Sequence, residues 1–281
     1  MLIHVLAAGA NSTSDSHQLD LAIITALKPV ELAAILALPG SWKTEKLSGD
    51  DTIYHRGVFT RDGKSISVVA AASIEMGSVA AACLTLKLIQ NYRPRCIAMS
   101  GIAGGLVGHY GDILVADQSW DYCAGKIVDE SDCNKNGGKN SFKPAPSYVS
   151  IDSSLKEKLQ SFGTQSMSKI SSIRDGWQGT AYDHALQLHV GAIATGSAVI
   201  ESKAVIDEIK DKNRKTVGLD METFGVYMAC KLSLMPKPIF FSAKSICDFA
   251  VPPKEDHHQK YAAYTSARFI YEFALDQLVA G

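Results

Sequence analysis

The sequence predicts an α/β protein in which a mainly parallel sheet is covered by helices on both faces. Short β-branched or apolar runs alternate along the chain with longer Ala- and Leu-rich segments of helical spacing, the pattern that βαβ units produce. The chain has 281 residues, 46% of them hydrophobic, and is long enough to bury one large core. It contains no internal repeat and no clear second domain. Residues 20–281 are expected to form one domain behind a tail or linker at 1–19.

Leu21 to Ala26 (LAIITA) is a compact buried-strand pattern, and ELAAILAL from Glu31 follows as a helix. Ile66 to Ala72 (ISVVAAA) is a second strand, and Gly77 to Asn91 (GSVAAACLTLKLIQN) has helical length and spacing. Cys96 to Ser100 is a third strand, running directly into a glycine cluster, SGIAGGL, from Ser100 to Leu106. Asp112 to Gln118 and Val190 to Thr195 are further strands, and Ser202 to Lys212 and Glu222 to Leu232 are helices. Ile239 to Ile246 is the last long strand, and Gln259 to Val279 a closing amphipathic helix. The polar, Gly/Pro-rich stretch from Cys133 to Tyr148 is expected to be a long surface loop.

Bulk properties exclude several function classes. A formal net charge of −1 gives no electrostatic reason for nucleic-acid binding. Six cysteines fall singly, with no CxxC pair and no His-rich companion, which speaks against a zinc site or a disulfide framework. Buried or free thiols in a reducing cytoplasm are the favoured reading, with a Cys123–Cys133 pairing across a loop as the alternative. The N-terminal MLIHVLAAGA is apolar but has no Lys or Arg in front of it. It reads as a tail or a domain-boundary remnant rather than a secretory signal. No apolar segment reaches membrane-spanning length.

Two segments carry candidate chemistry. VGLDMETFGVYMAC (Val217 to Cys230) puts Asp220 and Glu222 at the mouth of an apolar helix, and KSICDFA (Lys244 to Ala250) puts Asp248 at the end of a strand. A βαβ unit would bring both acids to one sheet edge, and open α/β sheets bind ligands at the carboxyl ends of their strands. The glycine cluster after the third strand would let backbone N–H groups approach a ligand, or would simply make a tight turn. It matches neither a Walker motif nor a GxGxxG fingerprint.

The segments IITALKPVE, EMGSVAAA, SGIAGGL, GDILVAD, GAIATGSAVIESK, LDMETFGVYMAC and SICDFA occur in one order over roughly residues 20 to 279. In this they resemble the nucleoside phosphorylase and nucleosidase superfamily, and within it the 5′-methylthioadenosine/S-adenosylhomocysteine nucleosidases. The resemblance implies a three-layer α/β/α fold with a central mixed, partly barrel-like sheet, an active site on strand ends, and a homodimer. It also implies cleavage of the N-glycosidic bond of a purine nucleoside. No metal or organic cofactor is implied.

Breaking that bond leaves an oxocarbenium-like ribose and a poor leaving group, so an acid must protonate the base, a service typically worth about 10²–10⁴-fold. By resemblance Asp248 is that acid. Burial in apolar surroundings would keep such a carboxyl protonated; the competing reading is a strand-end residue that caps the next turn. Glu222 resembles the family's ribose binder, with Met221 backing the sugar; the competing reading is a helix-start Glu favoured by the dipole. Asp220 suits that cap equally well and is ranked structural. Glu31 takes the place of the acid that activates water, after a turn (TALKPVE) one residue longer than the family form, with Lys28 as the added residue; a solvent-exposed helix Glu is the alternative. The same resemblance puts Ala26, Ala103, Gly104, Val199 and Ile200 along the substrate.

Departures from the family pattern bear on the reaction. Where phosphorylases place an Arg and a Ser around the glycine cluster to hold phosphate, this chain has Met99 and Ile102. A buried phosphate dianion would lack its charged partners there, which favours hydrolysis over phosphorolysis. The position that offers an aromatic ring to the base holds Val199; Val251 stands where a second Asp follows the catalytic one. Trp177 is a candidate for the missing ring, with packing as the commoner use of such a residue. The chain is also longer than compact nucleosidases between Asp121 and Leu188, a form similar to nucleosidase-like domains of bacterial signalling and phage-defence systems. Lys28, Arg56, Arg174 and Lys244 are cations able to meet a 5′-phosphate chain, with surface charge as the default reading of each.

Three functions follow. The first is hydrolysis of a methylthioadenosine- or adenosylhomocysteine-like adenosine derivative; the second is an AMP or ATP nucleosidase. The third is a non-catalytic nucleoside sensor, against which Glu222 and Asp248 both argue. The partner in each is a small purine nucleoside or nucleotide, with neither nucleic acid nor membrane.

Overall fold

The structure is a computed structural model and describes residues 16–129, 140–180, 182–252 and 256–279. Strand β1 (Leu19–Thr25) leads through a π turn (Lys28–Leu32) into the short helix α1 (Ala33–Leu36). β2 (Lys43–Glu45), β3 (Tyr54–Arg61) and β4 (Lys64–Ala72) make an antiparallel meander, and α2 (Ser78–Tyr92) returns the chain to β5 (Pro94–Gly105). β6 (Ile113–Asp121) is followed by a hairpin of β7 (Gly125–Asp129) and β8 (Asn140–Pro144), then by β9 (Tyr148–Ser150), α3 (Ser153–Gln165) and α4 (Met167–Ser172). β10 (Leu188–Thr195), α5 (Lys203–Lys212), β11 (Thr216–Asp220), α6 (Thr223–Leu232), β12 (Ile239–Asp248) and α7 (Gln259–Phe273) complete the order, with a final π turn (Ala274–Leu278).

The sheet runs β11-β10-β6-β12-β5-β1-β4-β3-β2, and β11 also pairs with β5. Five strands therefore close on themselves. β10 runs parallel to β6 and β11, and β5 parallel to β12 and β1, while antiparallel contacts β6–β12 and β5–β11 join the two groups. This is the mixed, partly barrel-like sheet that the family resemblance implies. Closure leaves neither β5 nor β11 with a bare edge at the join.

Hydrogen bonding shows that helices cover both faces. Ser242 of β12 meets Thr223 of α6, whereas Ser266 of α7 donates to the carbonyl of the next residue, Ala243, and meets Ser100, the register partner of Ala243 on β5. Successive side chains of a strand point to opposite faces, so α6 and α7 lie on opposite sides of the sheet. α7 is buried nearly all round, from Tyr261 and Ala262 to Ile270 and Phe273, as a helix enclosed by other elements should be.

Several expectations need correction. The glycine cluster makes no turn: β5 continues through it to Gly105, because the missing side chains make room for groups that lie on the strand. Part of the expected loop is strand β8, whose Ile127–Phe142 and Lys126–Lys143 cross-strand pairs give it a partner in β7; residues 133–139 lie outside the described residues. So do residues 1–15 of the expected tail, and with Cys133 the Cys123–Cys133 pairing. β11 and β12 are not sheet neighbours, since β5 pairs with both and stands between them. The closing helix ends at Phe273 and gives way to the π turn. Among the described residues, no helix is long and apolar enough to cross a membrane.

Candidate active site

A cleft opens where strand ends converge, and its lining includes Ala26, Glu31, Ala103, Gly104, Val199, Ile200, Met221, Glu222 and Asp248. All nine residues singled out from the sequence face one cavity. They come from the ends of β1, β5, β10, β11 and β12, so no short stretch of chain contains the site.

Glu31 is buried, at 2% exposure, and is not the solvent-exposed helix residue that the alternative reading supposed. The turn after β1 bends back so that its Oε2 accepts hydrogen bonds from the N–H groups of Ala26 (2.7 Å) and Leu27 (2.8 Å), while Oε1 accepts from Ile102 N–H (2.9 Å). The carboxylate lies directly against Gly101, where a Cβ would collide with Oε1. Burial raises the pKa of Glu31 above its ordinary value, and the nearby Lys244 ammonium opposes that rise.

Lys244 changes the electrostatic picture. The sequence reading made it a surface charge; in the structure it is 2% exposed. Its Nζ donates to Glu222 Oε2 at 2.6 Å and lies 2.8 Å from Asp220 Oδ2. Burial favours the neutral amine, but Asp220, Glu222 and Glu31 together outweigh it and hold the ammonium charged. A lysine inside an apolar strand (IFFSAKSI) is the available signal, because a buried charge needs a partner. Which acids would reach it was a matter of tertiary structure.

Asp220 performs the structural work expected of it. Burial opposes its ionisation, yet Lys244 and the hydroxyls of Thr195 and Thr223 hold its pKa below the ordinary value. Oδ1 accepts from Thr195 Oγ1 (2.6 Å), and Oδ2 accepts from Thr223 N–H (3.0 Å) at the start of α6. Glu222 is thereby left to the cleft: Oε1 accepts Gly77 N–H (2.9 Å), and the other oxygen meets Lys244.

Asp248 ends β12 just after the register to β5 slips between Ile246 and Asp248, and such a bulge re-aims a side chain. Its Oδ1 accepts from Ala250 N–H at 2.8 Å, and Cys247 Sγ lies 3.3 Å from Oδ2. Gly104, on the facing strand, lets this carboxyl approach closely. The turn-capping bond to Ala250 and the cavity-facing position coexist.

Other candidates fall elsewhere. Trp177 is not on the cleft; it packs on Tyr261 and Tyr264, so packing is its use. Arg174 is spent on the carbonyls of Tyr182 and His184, and Arg56 pairs loosely with Glu45 at 3.9 Å. Lys28 is exposed, and no Lys or Arg is among the described residues that line the cleft. Met99 is fully buried, and Ile102 faces the cavity. The reading of the sequence missed Tyr122, Met76, Leu219 and Gln259, all cleft residues. Among these, only the aromatic Tyr122, ending the strand run of β6, carried any signal.

The model of the phosphorylase superfamily matches residues 20–273. Among curated proteins, the chain is 29% identical over 261 residues to the uncharacterized protein y4jS of Sinorhizobium fredii, covering 91% of this chain and 61% of that one. It is 26% identical over 265 residues to the ATP nucleosidase Cap17 of Escherichia coli, covering 89% and 50%. The chain thus spans half to three fifths of the length of these relatives. Among solved structures, it is similar to the 5′-methylthioadenosine/S-adenosylhomocysteine nucleosidase of Neisseria meningitidis in complex with methylthio-immucillin-A (TM-score 0.67, 20% identity, 92% of this chain and 99% of that one). It is similar also to futalosine hydrolase of Helicobacter pylori (TM-score 0.68, 20% identity, 92% and 97%). These two likenesses bear on the fold, which they share, and the family model spans most of the chain. With its closed mixed barrel and its strand-end cleft, this chain belongs to the phosphorylase superfamily.

Proposed function

We propose that the chain hydrolyses the N-glycosidic bond of an adenosine derivative and releases adenine. The observation that carries this reading is one cleft holding Asp248 together with an acid cluster of Glu31, Glu222 and Asp220 around a single buried cation, Lys244. Three carboxyl groups against one ammonium leave an excess of negative charge beside the sugar site. Fixed charge of that sign favours the oxocarbenium-like transition state. In this reading Asp248 protonates the base, Glu222 and Met221 hold the ribose, and Glu31 takes a proton from water. Ala26, Ala103, Gly104, Val199 and Ile200 shape the walls.

Water suits this site better than phosphate. Lys244 is already committed to two carboxylates, and Met99 and Ile102 add no donor side chain. An entering dianion would meet acids without a free cation among the described residues that line the cleft, a costly arrangement when buried. The apolar lining contributed by Leu27, Met76 and Ile102 supports an uncharged 5′ substituent such as a thioether. The relationship to the ATP nucleosidase Cap17 supports a second reading, in which the substrate is AMP or ATP.

Chromatographic assay of adenine released from methylthioadenosine, adenosylhomocysteine, adenosine, AMP and ATP, with and without phosphate, separates these. Phosphate-independent release from the thio-nucleosides is the expected result. Release mainly from AMP or ATP would establish the second reading. Adenosine binding without base release from any compound would defeat the enzyme reading and leave a sensor.

A further inference from the structure

Val199 is part of the cleft lining but offers a flat base no ring to stack on, being 54% exposed and aliphatic. Another residue of the lining does offer a ring. Tyr122 sits one residue beyond β6, is 8% exposed, and faces the cavity with Ala198, Leu219 and Ala250.

The ring is held along one edge and at its hydroxyl, while the residue lines the cleft. Its backbone N–H donates to Thr195 O at 3.1 Å, continuing the pairing of β6 with β10 past the end of the strand. Its hydroxyl donates to Ala198 O at 3.3 Å. The ring rests against Gly196, where a Cβ would collide with it. It belongs to one buried apolar cluster with Trp120, Ala192, Ala194 and Leu219. A side chain fixed in this way loses little freedom when a ligand arrives, so its contact area is available for binding.

Its place relative to the acid matters as much. Ala250 belongs to the same packed cluster as Tyr122, and its N–H holds Asp248 Oδ1 at 2.8 Å. The ring and the acid are therefore two parts of one wall, linked through Ala250.

We propose that Tyr122 is the stacking platform for the purine base, the role that the family pattern would give to the residue at Val199. The inference rests on the nucleosidase reading and narrows it: the leaving group is a flat heteroaromatic base, bound by its face on β6 and by its edge at Asp248. The aromatic wall has moved from the loop after β10 to the end of β6, and Gly196 is the residue in that loop which makes room for it.

The test compares wild type with Tyr122→Phe, Tyr122→Leu and Tyr122→Leu/Val199→Phe. Calorimetric binding of adenine is read alongside kcat and KM on the substrate that wild type turns over fastest. Base–aromatic stacking is worth about 1–3 kcal/mol, or roughly fivefold to 150-fold. Tyr122→Leu should weaken adenine binding and raise KM within that range with kcat largely kept, the signature of lost uniform binding. Tyr122→Phe should stay near wild type, and the double variant should recover much of the loss by restoring a ring at the position of Val199. If the leucine variants do not fold, proton NMR of wild type decides: adenine should move the ring signals of one tyrosine, a change absent from Tyr122→Phe. Adenine binding to wild type that is unchanged in Tyr122→Leu, or that perturbs no tyrosine assignable to Tyr122, would overturn this proposal and leave the nucleosidase reading intact. Failure of wild type both to bind adenine and to release it would overturn both.

Discussion

At the scale of single residues, the site is a set of carboxyl groups told apart by their surroundings. Asp248 accepts the N–H of Ala250 and meets the Cys247 thiol, whereas Glu31 accepts the N–H groups of Ala26, Leu27 and Ile102 and feels the field of Lys244. In the proposed mechanism the first gives a proton and the second takes one. Asp248→Asn should lower kcat by about 10²–10⁴-fold while adenine binding, read by calorimetry, is largely kept; unchanged turnover would remove Asp248 from the mechanism. Glu31 must be ionised to act as a base, and burial raises its pKa above the ordinary value of 4.5. The acid limb of the kcat/KM profile should therefore lie above that value, with activity falling as pH drops through it. Glu31→Gln should abolish the limb together with most of the rate. Lys244→Met would leave Asp220 and Glu222 buried without their cation, a change costing about 3–5 kcal/mol when one partner of a buried pair is removed. Urea denaturation should show that loss as a lower midpoint, and an unchanged midpoint would mean that the acids find protons or another partner.

At the scale of elements, the glycine-bearing end of β5 decides how the acids approach one another. It remains a strand because β12 pairs with it from Cys96 to Gly104, and β11 closes on it at Gly104 and Gly105. The acids then lie on the bare backbone of Gly101 and Gly104. Gly101→Ala should displace Glu31 from its three N–H groups and reduce turnover at least tenfold, an estimate from the sensitivity of positioned groups to small shifts. Circular dichroism should show the fold retained. Full activity in that variant would place the water-activating group elsewhere. Part of this scale was open to sequence reading and was passed over. Asp152 caps α3 through the N–H groups of Ser154 and Leu155, ahead of buried Leu155, Leu159 and Phe162, a start signal and an apolar stripe both visible in IDSSLKEKLQSF. The end of β5 was not readable in this way, since three glycines within five residues are a turn signal to any local rule.

At the scale of the whole molecule, the outer face of α2 is apolar where a solvent-facing helix would be charged. Val79 is 80% exposed and Leu86 41% exposed, with Cys83 also exposed between them, and Ile74 and Met76 extend the stripe to the cleft. Residues four and three apart share a helix face, so this is one continuous surface of the kind that marks association. We expect the chain to form a homodimer through it, as the family resemblance suggests. Light scattering after size exclusion should give twice the chain mass, and Val79→Glu/Leu86→Glu should return it to the monomer. A monomeric wild type at micromolar concentration would reject the dimer.

The order of strands and helices, the acids at strand ends and the superfamily were determined by the sequence itself, because each is written in local spacing or in motifs that keep their order. The nine site residues were named from that order, and the fold gathers them into one cleft. Only the tertiary structure decided that Lys244 lies among Asp220 and Glu222, that β5 passes between β11 and β12, and that Tyr122 rather than Trp177 turns a ring toward the cavity. The reason is physical. Periodicity reports whether a residue is buried, but its neighbours depend on which distant strands pair when the barrel closes, and that contact exists only in the folded chain.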